Sequence, residues 1–416
     1  MNEVVITGLG AMCPLGLSPQ AAWASVAAGR SGVSVRQDLA DAGWVAPFGG
    51  IVTDFDPKQW VKPRKSLKVM AREIQLAFAA GEQAWSDAGL EDAGVDPERV
   101  GVVTGAGLMY CDMSELEGPY LACLDDGRFA YDRWGGAGLR ALFPLWMLKY
   151  LPNMSACHIG IRRDARGPTN TIASEDASSL LALAEAAAII RRGAADVMLT
   201  GGASSRMYMT DSLWRTTGAM WAAGEEPARM HRPFDARRNG CVCGEGAAVL
   251  VLESEAHARA RGAKVWARVA GVASRAESAL AGTGLTGDSI AGAISGALEL
   301  SDTRPGDLAA VSAQGFSKPD EDRVEAQAIA STLGDTLVTA PKSFMGDLGA
   351  ATGAVELAVG LVGLEQNLVA PTLNYREPDP ECPVNVATEL TKTAKRRLMS
   401  LSFNPAGQAV AAVIEA

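Results

Sequence analysis

Two adjacent carboxylates, Glu175 and Asp176, stand where a strand-like segment gives way to an apolar helix. The segment is "TIASEDASSL" at 171–180, and the helix that follows it, "LLALAEAAAII", has Glu185 as its only charge. The start of a buried helix favours anionic and reactive groups, because its first backbone N–H groups have no partner within the helix. The two carboxylates could act as an acid and base pair, or they could cap the helix.

The cysteines and histidines are the other residue types that could carry chemistry. The 7 cysteines have no disulfide-framework spacing, and Cys241-Val-Cys243 lacks the second pair that a zinc site needs. We therefore expect reduced thiols in a cytoplasmic protein, with no metal and no other cofactor. His158, in a segment that enters a strand, His231 and His257 are interpreted as structural or exposed residues.

Composition and charge exclude several classes of function. The chain has 416 residues and a net charge of −10, which disfavours a nucleic-acid partner, because phosphate binding needs clustered Lys and Arg. The first residues, "MNEVVITGLG", predict a strand and a glycine turn rather than a signal peptide. The apolar stretch 139–151 contains Pro144 and Lys149 and is too short to span a bilayer, so we expect core or tunnel wall and no membrane partner.

Strand and helix patterns alternate along the chain, as in stacked α/β layers. In the first half, strands are predicted at 3–12 and 99–108 and an amphipathic helix at 67–85. The second half has predicted strands at 265–274 and 308–317, helices at 286–300 and 322–332, and a strand at "NVATEL". Because "VGVVTGAG" is similar to "LAAVSAQG", we predict one compact body of two similarly built halves, 1–255 and 256–416.

Several motifs together resemble the β-ketoacyl synthases of the thiolase superfamily, and the resemblance covers essentially the whole chain. They are "VVITGLGAMCPLG", "GPTNTIASEDASS", "ADVMLTGGAS", "HRPFDARRNGCVCGEGAAVLVLE" and "KSFMGDLGAATGAVE". The long motif that begins at His231 is the most specific of them. The resemblance implies an α/β fold of the thiolase-like, duplicated five-layer αβαβα type.

The residues that perform the chemistry of that family are replaced in this chain. The family condenses acyl units with a cysteine at a buried helix start and two histidines that assist decarboxylation and stabilise an enolate. The matching positions hold Asp176, Gln314 and Asp347, so we expect no catalytic residue. Three neighbouring family positions also differ: Phe316 and Lys318 replace the threonines that hold the phosphopantetheine arm, and Pro405 replaces the phenylalanine gate. Lys342, Asp322 and Glu325 match family positions that hold the site together, and Glu175 and Phe403 are further neighbours of the site.

A chain that keeps the ketosynthase scaffold but lacks the catalytic residues resembles the chain-length factors, the β subunits of type II polyketide synthases. Such a subunit pairs with an active ketosynthase α subunit as a heterodimer through a strand, here 168–173, and meets acyl carrier protein only through that complex. It limits the tunnel in which the chain grows. By resemblance the tunnel residues are Leu108, Met109, Tyr110, Asp112, Met113 and Leu116. A carboxylate such as Asp112 should pair there or bind something polar.

Three alternatives remain open from the sequence. Chain-length factors usually carry glutamine at the cysteine position, so Asp176 leaves any malonyl decarboxylation in question. The fold could instead have recast its chemistry, with Glu175 or Asp176 as a base for thioester hydrolysis or acyl transfer. The chain could also be a homodimeric structural or lipid-carrying pseudoenzyme without a synthase partner. For the carboxylates themselves we expect helix capping by Ser174, Glu175 and Asp176.

Overall fold

The computed structural model of the chain describes residues 2–44, 46–211, 225–278 and 284–416. Its strands are β1 Val4–Met12, β2 Val33–Val35, β3 Phe48–Gly50, β4 Val100–Ala106, β5 Leu124–Asp125, β6 Arg128–Phe129, β7 Thr169–Ile172, β8 Val197–Ser205, β9 Glu245–Ser254, β10 Ala267–Ala276, β11 Leu308–Ser312, β12 Leu337–Thr339, β13 Leu368–Val369, β14 Asn385–Val386, β15 Thr391–Lys392, β16 Arg397–Phe403 and β17 Gln408–Glu415. Its helices are α1 Pro19–Ala27, α2 Gln37–Asp41, α3 Pro57–Trp60, α4 Arg72–Asp87, α5 Met113–Ala122, α6 Leu139–Ala141, α7 Trp146–Lys149, α8 Met154–Arg163, α9 Ser178–Arg191, α10 Glu255–Ala260, α11 Asp288–Leu300, α12 Pro319–Leu333, α13 Lys342–Met345 and α14 Thr352–Glu365.

The large sheet repeats one strand pattern. Its order is β14-β12-β11-β16-β17-β10-β1-β9-β8-β4-β7. In the first half β9 pairs antiparallel with β1 and β8, while β8, β4 and β7 are parallel. In the second half β17 pairs antiparallel with β10 and β16, while β16, β11 and β12 are parallel. The similar segments at β4 and β11 therefore occupy equivalent positions, as a duplication requires.

Helices cover both faces of each half-sheet and give five layers. Helices α4 and α8 pack on one outer face, and α11 and α12 pack on the other. Between the halves lie α9 and α14, and α14 is buried along its length except at Gly360 and Glu365. A helix that is apolar on nearly all sides has to be enclosed, so it forms the middle layer. The predicted thiolase-like α/β architecture is confirmed, whereas the division after residue 255, at the junction of β9 and α10, stays a prediction.

Several predicted boundaries differ from the observed ones. The helix predicted at 67–85 begins at Arg72, because residues 64–69 form a separate 3₁₀ turn. The strand predicted at 308–317 ends at Ser312, where the chain leaves the sheet for the site described below. Helices α11 and α12 begin at Asp288 and Pro319, and "NVATEL" contributes only the two residues of β14. His158 lies within α8 rather than at the start of a strand.

The segment 139–151 is not core in this chain. Leu139, Phe143, Leu145 and Met147 expose between 46% and 59% of their surface, on the short helices α6 and α7 and the turn between them. Of the 17 large hydrophobic side chains that the described residues expose, 12 lie between Leu108 and Leu148. We call residues 108–148 the apolar segment. Among the described residues, no helix is both long and apolar enough to cross a bilayer.

Candidate functional site

The site residues follow the carboxyl ends of parallel strands in both halves of the large sheet. Asp176 lies in a 3₁₀ turn between β7 and α9, and Arg206 directly follows β8. Gln314 comes two residues after β11, and Asn404 comes directly after β16. Loops at the carboxyl ends of parallel strands converge on one side of a sheet, and here both half-sheets contribute to the same site.

A buried arginine joins the carboxylates of the site. Arg206 is 3% exposed, and its Nη2 donates to Asp176 Oδ2 at 3.1 Å and to Glu175 Oε2 at 3.3 Å. Its Nη1 donates to Asp347. Lys342, which is fully buried, places Nζ 3.2 Å from Asp347 Oδ1. We call these five residues the buried ion cluster.

Charge within the cluster determines its protonation. Burial acts to lower the pKa of Arg206, but the charges of Asp176 and Asp347 outweigh it and hold that pKa well above its usual value. Burial likewise acts to lower the pKa of Lys342, and Asp347 overcomes it and raises that pKa. Burial raises the pKa of Asp176, and Arg206 partly opposes that rise. Both cations therefore stay charged and hold the two buried carboxylates in place.

The loop that carries Asp347 is fixed by backbone contacts and shaped for Arg206. Asp347 N–H donates to Val242 O at 2.7 Å, and Gly244 N–H donates to Asp347 O at 2.9 Å. Gly349 has a φ of 56°, and a Cβ at this residue would lie 2.7 Å from Arg206 Nε. Glycine is required here both for its backbone conformation and for the close approach of the arginine.

The predicted helix capping is wrong for Ser174 and Asp176: Asp176 Oδ1 makes no hydrogen bond with any described residue, and its Oδ2 binds Arg206. The Ser174 side chain makes no cap hydrogen bond at the start of the turn. Instead Ser174 N–H donates to Ser178 Oγ at 2.8 Å, and that hydroxyl donates to Glu175 O at 2.7 Å. The carboxylates turn to Arg206, because hydrogen bonds between charged groups are stronger than those to a neutral N–H.

Gln314 lies apart from the ion cluster. Its side chain is fully buried, and its amide atoms make no hydrogen bond with any residue in the described ranges. The backbone N–H groups of Gln314 and Gly315 donate to the two oxygens of Glu325, at 2.6 and 2.8 Å. Burial raises the pKa of Glu325 to about 8. This carboxyl group fixes the loop, while the Gln314 side chain takes no part in the charge network.

Two aromatic rings occupy the next part of the site. The rings of Phe316 and Phe403 meet edge to face, with centroids 5.2 Å apart. Lys342 Nζ lies 4.6 Å from the centre of the Phe316 ring, and Lys318 Nζ lies 5.7 Å from it. Cation–π contacts of this kind favour a ring between two ammonium groups. Phe316 is thus held where the resemblance places a hydroxyl group that binds the pantetheine arm.

A cavity of about 840 Å³ lies above the ion cluster and the aromatic pair. Its lining includes Leu108, Tyr110, Glu175, Asp176, Arg206, Phe316, Lys318, Cys241, Cys243 and Pro405. Pro405 is exposed at the rim, beside Asn404, whose Nδ2 donates to Ser174 O at 3.0 Å. The cavity therefore connects the substituted catalytic positions to solvent.

Comparison with known proteins identifies the family to which this fold belongs. The family described as β-ketoacyl synthase, N-terminal domain, matches residues 1–258, and its C-terminal domain matches residues 266–376. The chain belongs to the β-ketoacyl synthase family. The ketoacyl synthase alpha subunit of the tetracenomycin polyketide synthase from Streptomyces glaucescens is 34% identical over 400 residues, covering 93% of this chain and 92% of that protein.

Solved ketosynthase structures have the same fold. A β-ketoacyl synthase from Burkholderia phymatum STM815 is 30% identical, with a TM-score of 0.89 over 100% of this chain and 99% of its own. The ishigamide ketosynthase/chain length factor is 28% identical, with a TM-score of 0.85 over 100% and 99% of the two chains. This chain is thus similar over its full length to ketosynthases of polyketide biosynthesis.

Within this ketosynthase scaffold, Arg206 and the two cavity cysteines are the site residues that the sequence analysis missed. Cys241 Sγ lies 3.5 Å from Asp347 Oδ2, and burial followed by the Asp347 charge raises its pKa well above the usual value. Such a thiol is a poor nucleophile at neutral pH. The signal for Arg206 was present in the sequence, since a charged residue directly follows the apolar strand pattern "VMLTGGASS".

The six predicted tunnel residues separate into groups. Leu108, 65% exposed, and Tyr110 line the cavity above the ion cluster. Asp112 and Met113 line a second cavity of about 440 Å³, together with Arg72, Met207 and Glu245. Met109 packs against a cluster that contains Met70 and Phe78, and Leu116 is half-buried on α5. Segment 108–113 therefore runs between two cavities, and its role in limiting a tunnel stays a prediction.

Asp112 has the polar partner that its position requires. It is the N-cap of α5, and its Oδ1 accepts from Ser114 N–H at 2.9 Å and from Ser114 Oγ at 2.7 Å. The side chain stays largely exposed. Helix capping thus explains this carboxylate without a ligand.

Two of the three histidines, His231 and His257, make contacts that hold the scaffold together. His231 is buried, and its Nδ1 accepts from Val242 N–H at 3.1 Å while Nε2 lies 3.3 Å from Gly315 O. Burial lowers its pKa to about 3, so the ring is neutral at physiological pH. His257 pairs with Glu253 at 2.5 Å. In the described ranges, no three His, Cys, Asp or Glu side chains are arranged to hold a metal ion.

Proposed function

We propose that this chain is a catalytically inactive ketosynthase homologue that acts as a chain-length factor. It pairs with an active ketosynthase and limits the tunnel in which that partner extends an acyl chain held by acyl carrier protein in the cytoplasm. The observation that supports this most directly is Arg206, which joins Asp176 and Asp347 at the positions of the nucleophile and of one histidine.

The chemistry of condensation fails at this site on each requirement. A carboxylate at residue 176 would take an acyl group only as a mixed anhydride, which lies uphill from a thioester. Asp347 places negative charge where an enolate oxygen would develop, which opposes transition-state stabilisation. The cations cannot compensate, since Arg206 and Lys342 both direct their charged groups to carboxylates.

Two surfaces support pairing with another ketosynthase-type chain. Strand β7 is the last strand of the large sheet, and Thr169 and Asn170 are exposed on it. The apolar segment carries 12 of the 17 large hydrophobic side chains that the described residues expose, and concentrated exposed apolar surface is typical of an interaction site. The ishigamide protein, whose name gives both a ketosynthase and a chain length factor, has the same fold. An active ketosynthase that covers β7 and the apolar segment would satisfy both surfaces.

The geometry disfavours the recast-chemistry alternative. Asp176 is 2% exposed and its Oδ2 is bound to Arg206, while Glu175 Oε2 accepts from the same guanidinium. In thioester hydrolysis, a general base has to deprotonate a water molecule that attacks the thioester carbonyl from the solvent side. The carbonyl oxygen also needs a hydrogen-bond donor as it becomes an oxyanion. Arg206 is already engaged with three carboxylates, so it is poorly placed to serve as that donor. A monomeric structural protein would leave β7 and the apolar segment exposed. A homodimeric one would cover β7, and it is distinguished by its failure to pair with a ketosynthase.

Co-expression with a ketosynthase that carries the catalytic cysteine tests this function. We expect a stable 1:1 heterodimer. We also expect Tyr110→Ala to shift the products of the pair to longer chains, because Tyr110 lines the cavity. Gel filtration measures the pair, and mass spectrometry of released products measures chain length. Leu300→Ala, at the exposed end of α11, is the matched control and should leave the products unchanged. Failure of the chain to pair with ketosynthases that accept other chain-length factors would contradict the proposal.

A further inference from the structure

Helix α9 carries one isolated carboxylate next to the open edge of the sheet. Leu181, Ala184, Glu185 and Ala188 are the residues of its middle turns that stay partly or fully exposed, and they lie along one side of the helix. That side adjoins β7, because Asn170 Nδ2 donates to Glu185 Oε1 at 3.4 Å. We call Thr169–Ile172 and these four helix residues the β7–α9 edge. Apart from Glu185, the helix side of this edge is apolar.

The outward-facing backbone N–H of Thr171 in β7 is already hydrogen-bonded to the side chain of Asn170 in the same strand. Val102 N–H donates to Pro168 O at 3.0 Å, so in this parallel ladder Thr169 and Thr171 direct their backbone groups away from β4. Thr171 N–H donates to Asn170 Oδ1 at 2.8 Å. The Asn170 amide thus holds the outward N–H with its oxygen and Glu185 with its nitrogen. A strand that pairs with β7 has to accept a hydrogen bond from the Thr171 N–H, so the bond from that N–H to Asn170 Oδ1 has to break.

Covering this edge removes water from Glu185. A carboxylate that loses its water needs a cation or several donors, and it is destabilising when it meets another carboxylate. A second copy of this chain, paired through β7 about a two-fold axis, brings a second Glu185 to the same interface. Among the cations near the edge, Arg166 is already paired with Asp164 at 2.8 Å. Arg192 lies seven residues after Glu185, about 10 Å further along the helix axis.

We propose that Glu185 selects the partner of this chain. The β7–α9 edge takes a ketosynthase-type chain that places a Lys or Arg side chain opposite Glu185, and it disfavours a second copy of this chain. Asn170 is the positioning residue, because its amide binds both the Glu185 carboxylate and the Thr171 N–H, and the second bond breaks when another strand pairs with β7. This proposal rests on the proposed pairing with a ketosynthase and adds the charge that makes the pairing selective.

A charge-swap experiment tests the selection without the ketosynthase. Wild-type chains and Glu185→Lys chains carry different tags, are co-expressed, and are analysed by native mass spectrometry. We expect each chain to self-associate weakly and the mixed pair to form about tenfold more tightly than either homodimer, because one Lys then faces one Glu. Glu185→Gln alone should tighten self-association by a similar factor, about tenfold. Glu299→Lys, an exposed charge on α11, is the matched control and should give no preference.

Two results would overturn the proposal. One is a mixed pair of wild-type and Glu185→Lys chains that forms only in the proportion expected from random pairing. The other is a wild-type homodimer as tight as the mixed pair, as expected if Arg192 of one copy neutralises Glu185 of the other. Both outcomes concern association of this chain with itself, whereas failure of the proposed function shows in the products of the ketosynthase pair. The two failures are therefore distinguishable.

Discussion

Replacing Arg206 with methionine should lower the free energy of unfolding by about 3–5 kcal/mol, the usual range for removing one partner of a buried ion pair. The side chain is 3% exposed and holds Asp176, Asp347 and Glu175. Methionine keeps much of the volume of arginine, so the loss comes from two buried carboxylates left with Lys342 alone. Urea unfolding followed by circular dichroism measures the change.

The matched control for Arg206→Met is Arg376→Met. Arg376 is exposed, and its guanidinium has no ion pair in the described part of the chain, so this change should cost less than about 0.5 kcal/mol. Adding Asp176→Asn to Arg206→Met should recover much of the lost stability, because Lys342 then pairs with Asp347 and no buried carboxylate is left uncompensated. A loss below about 1 kcal/mol for Arg206→Met would show that the ion cluster does not stabilise the site.

Restoring the family's catalytic residues should not restore condensation. The triple variant Asp176→Cys, Gln314→His and Asp347→His should condense malonyl units at least about a thousandfold more slowly than an active ketosynthase. Removing Asp176 and Asp347 leaves Arg206 buried with only the half-exposed Glu175. Phe316 still occupies the position that would hold the pantetheine arm, between Lys342 and Lys318.

The assay for the triple variant uses radiolabelled malonyl carrier protein and an acyl primer, with an active ketosynthase as the reference. Circular dichroism of the variant establishes whether it is folded. Adding Arg206→Met to the triple variant should recover folding without recovering condensation, which separates instability from missing chemistry. A condensation rate within about tenfold of the reference would contradict the proposal that this site is inactive.

The sequence predicted the fold and the positions of the site better than it predicted the contacts within the site. The motifs around Asp176 and Asp347 locate these residues in the scaffold: Asp176 follows β7, and Asp347 lies in the loop between α13 and α14. The partner of both carboxylates could not be found in this way. Arg206 lies 30 residues from Asp176 and 141 residues from Asp347 along the chain, and only the folded sheet brings them together.

The same limit explains two other differences. The capping prediction for Asp176 considers only neighbours in sequence. The charged guanidinium of Arg206, which directly follows β8, competes better for a carboxylate than a helix N–H does. The stretch 139–151 was expected to be core or tunnel wall because it is apolar. An apolar segment in a single chain can equally be covered by a second chain, and composition does not distinguish the two environments.

The central claim is that this chain supports condensation without performing it, and a nucleophile-exchange assay tests it most directly. In the co-purified pair, Asp176→Asn in this chain should leave product formation within about twofold of the wild type, since Asp176 binds Arg206 rather than substrate. Replacing the catalytic cysteine of the partner ketosynthase by alanine should abolish product. Product formation that survives the loss of the partner's cysteine, and is lost with Asp176→Asn, would contradict the account.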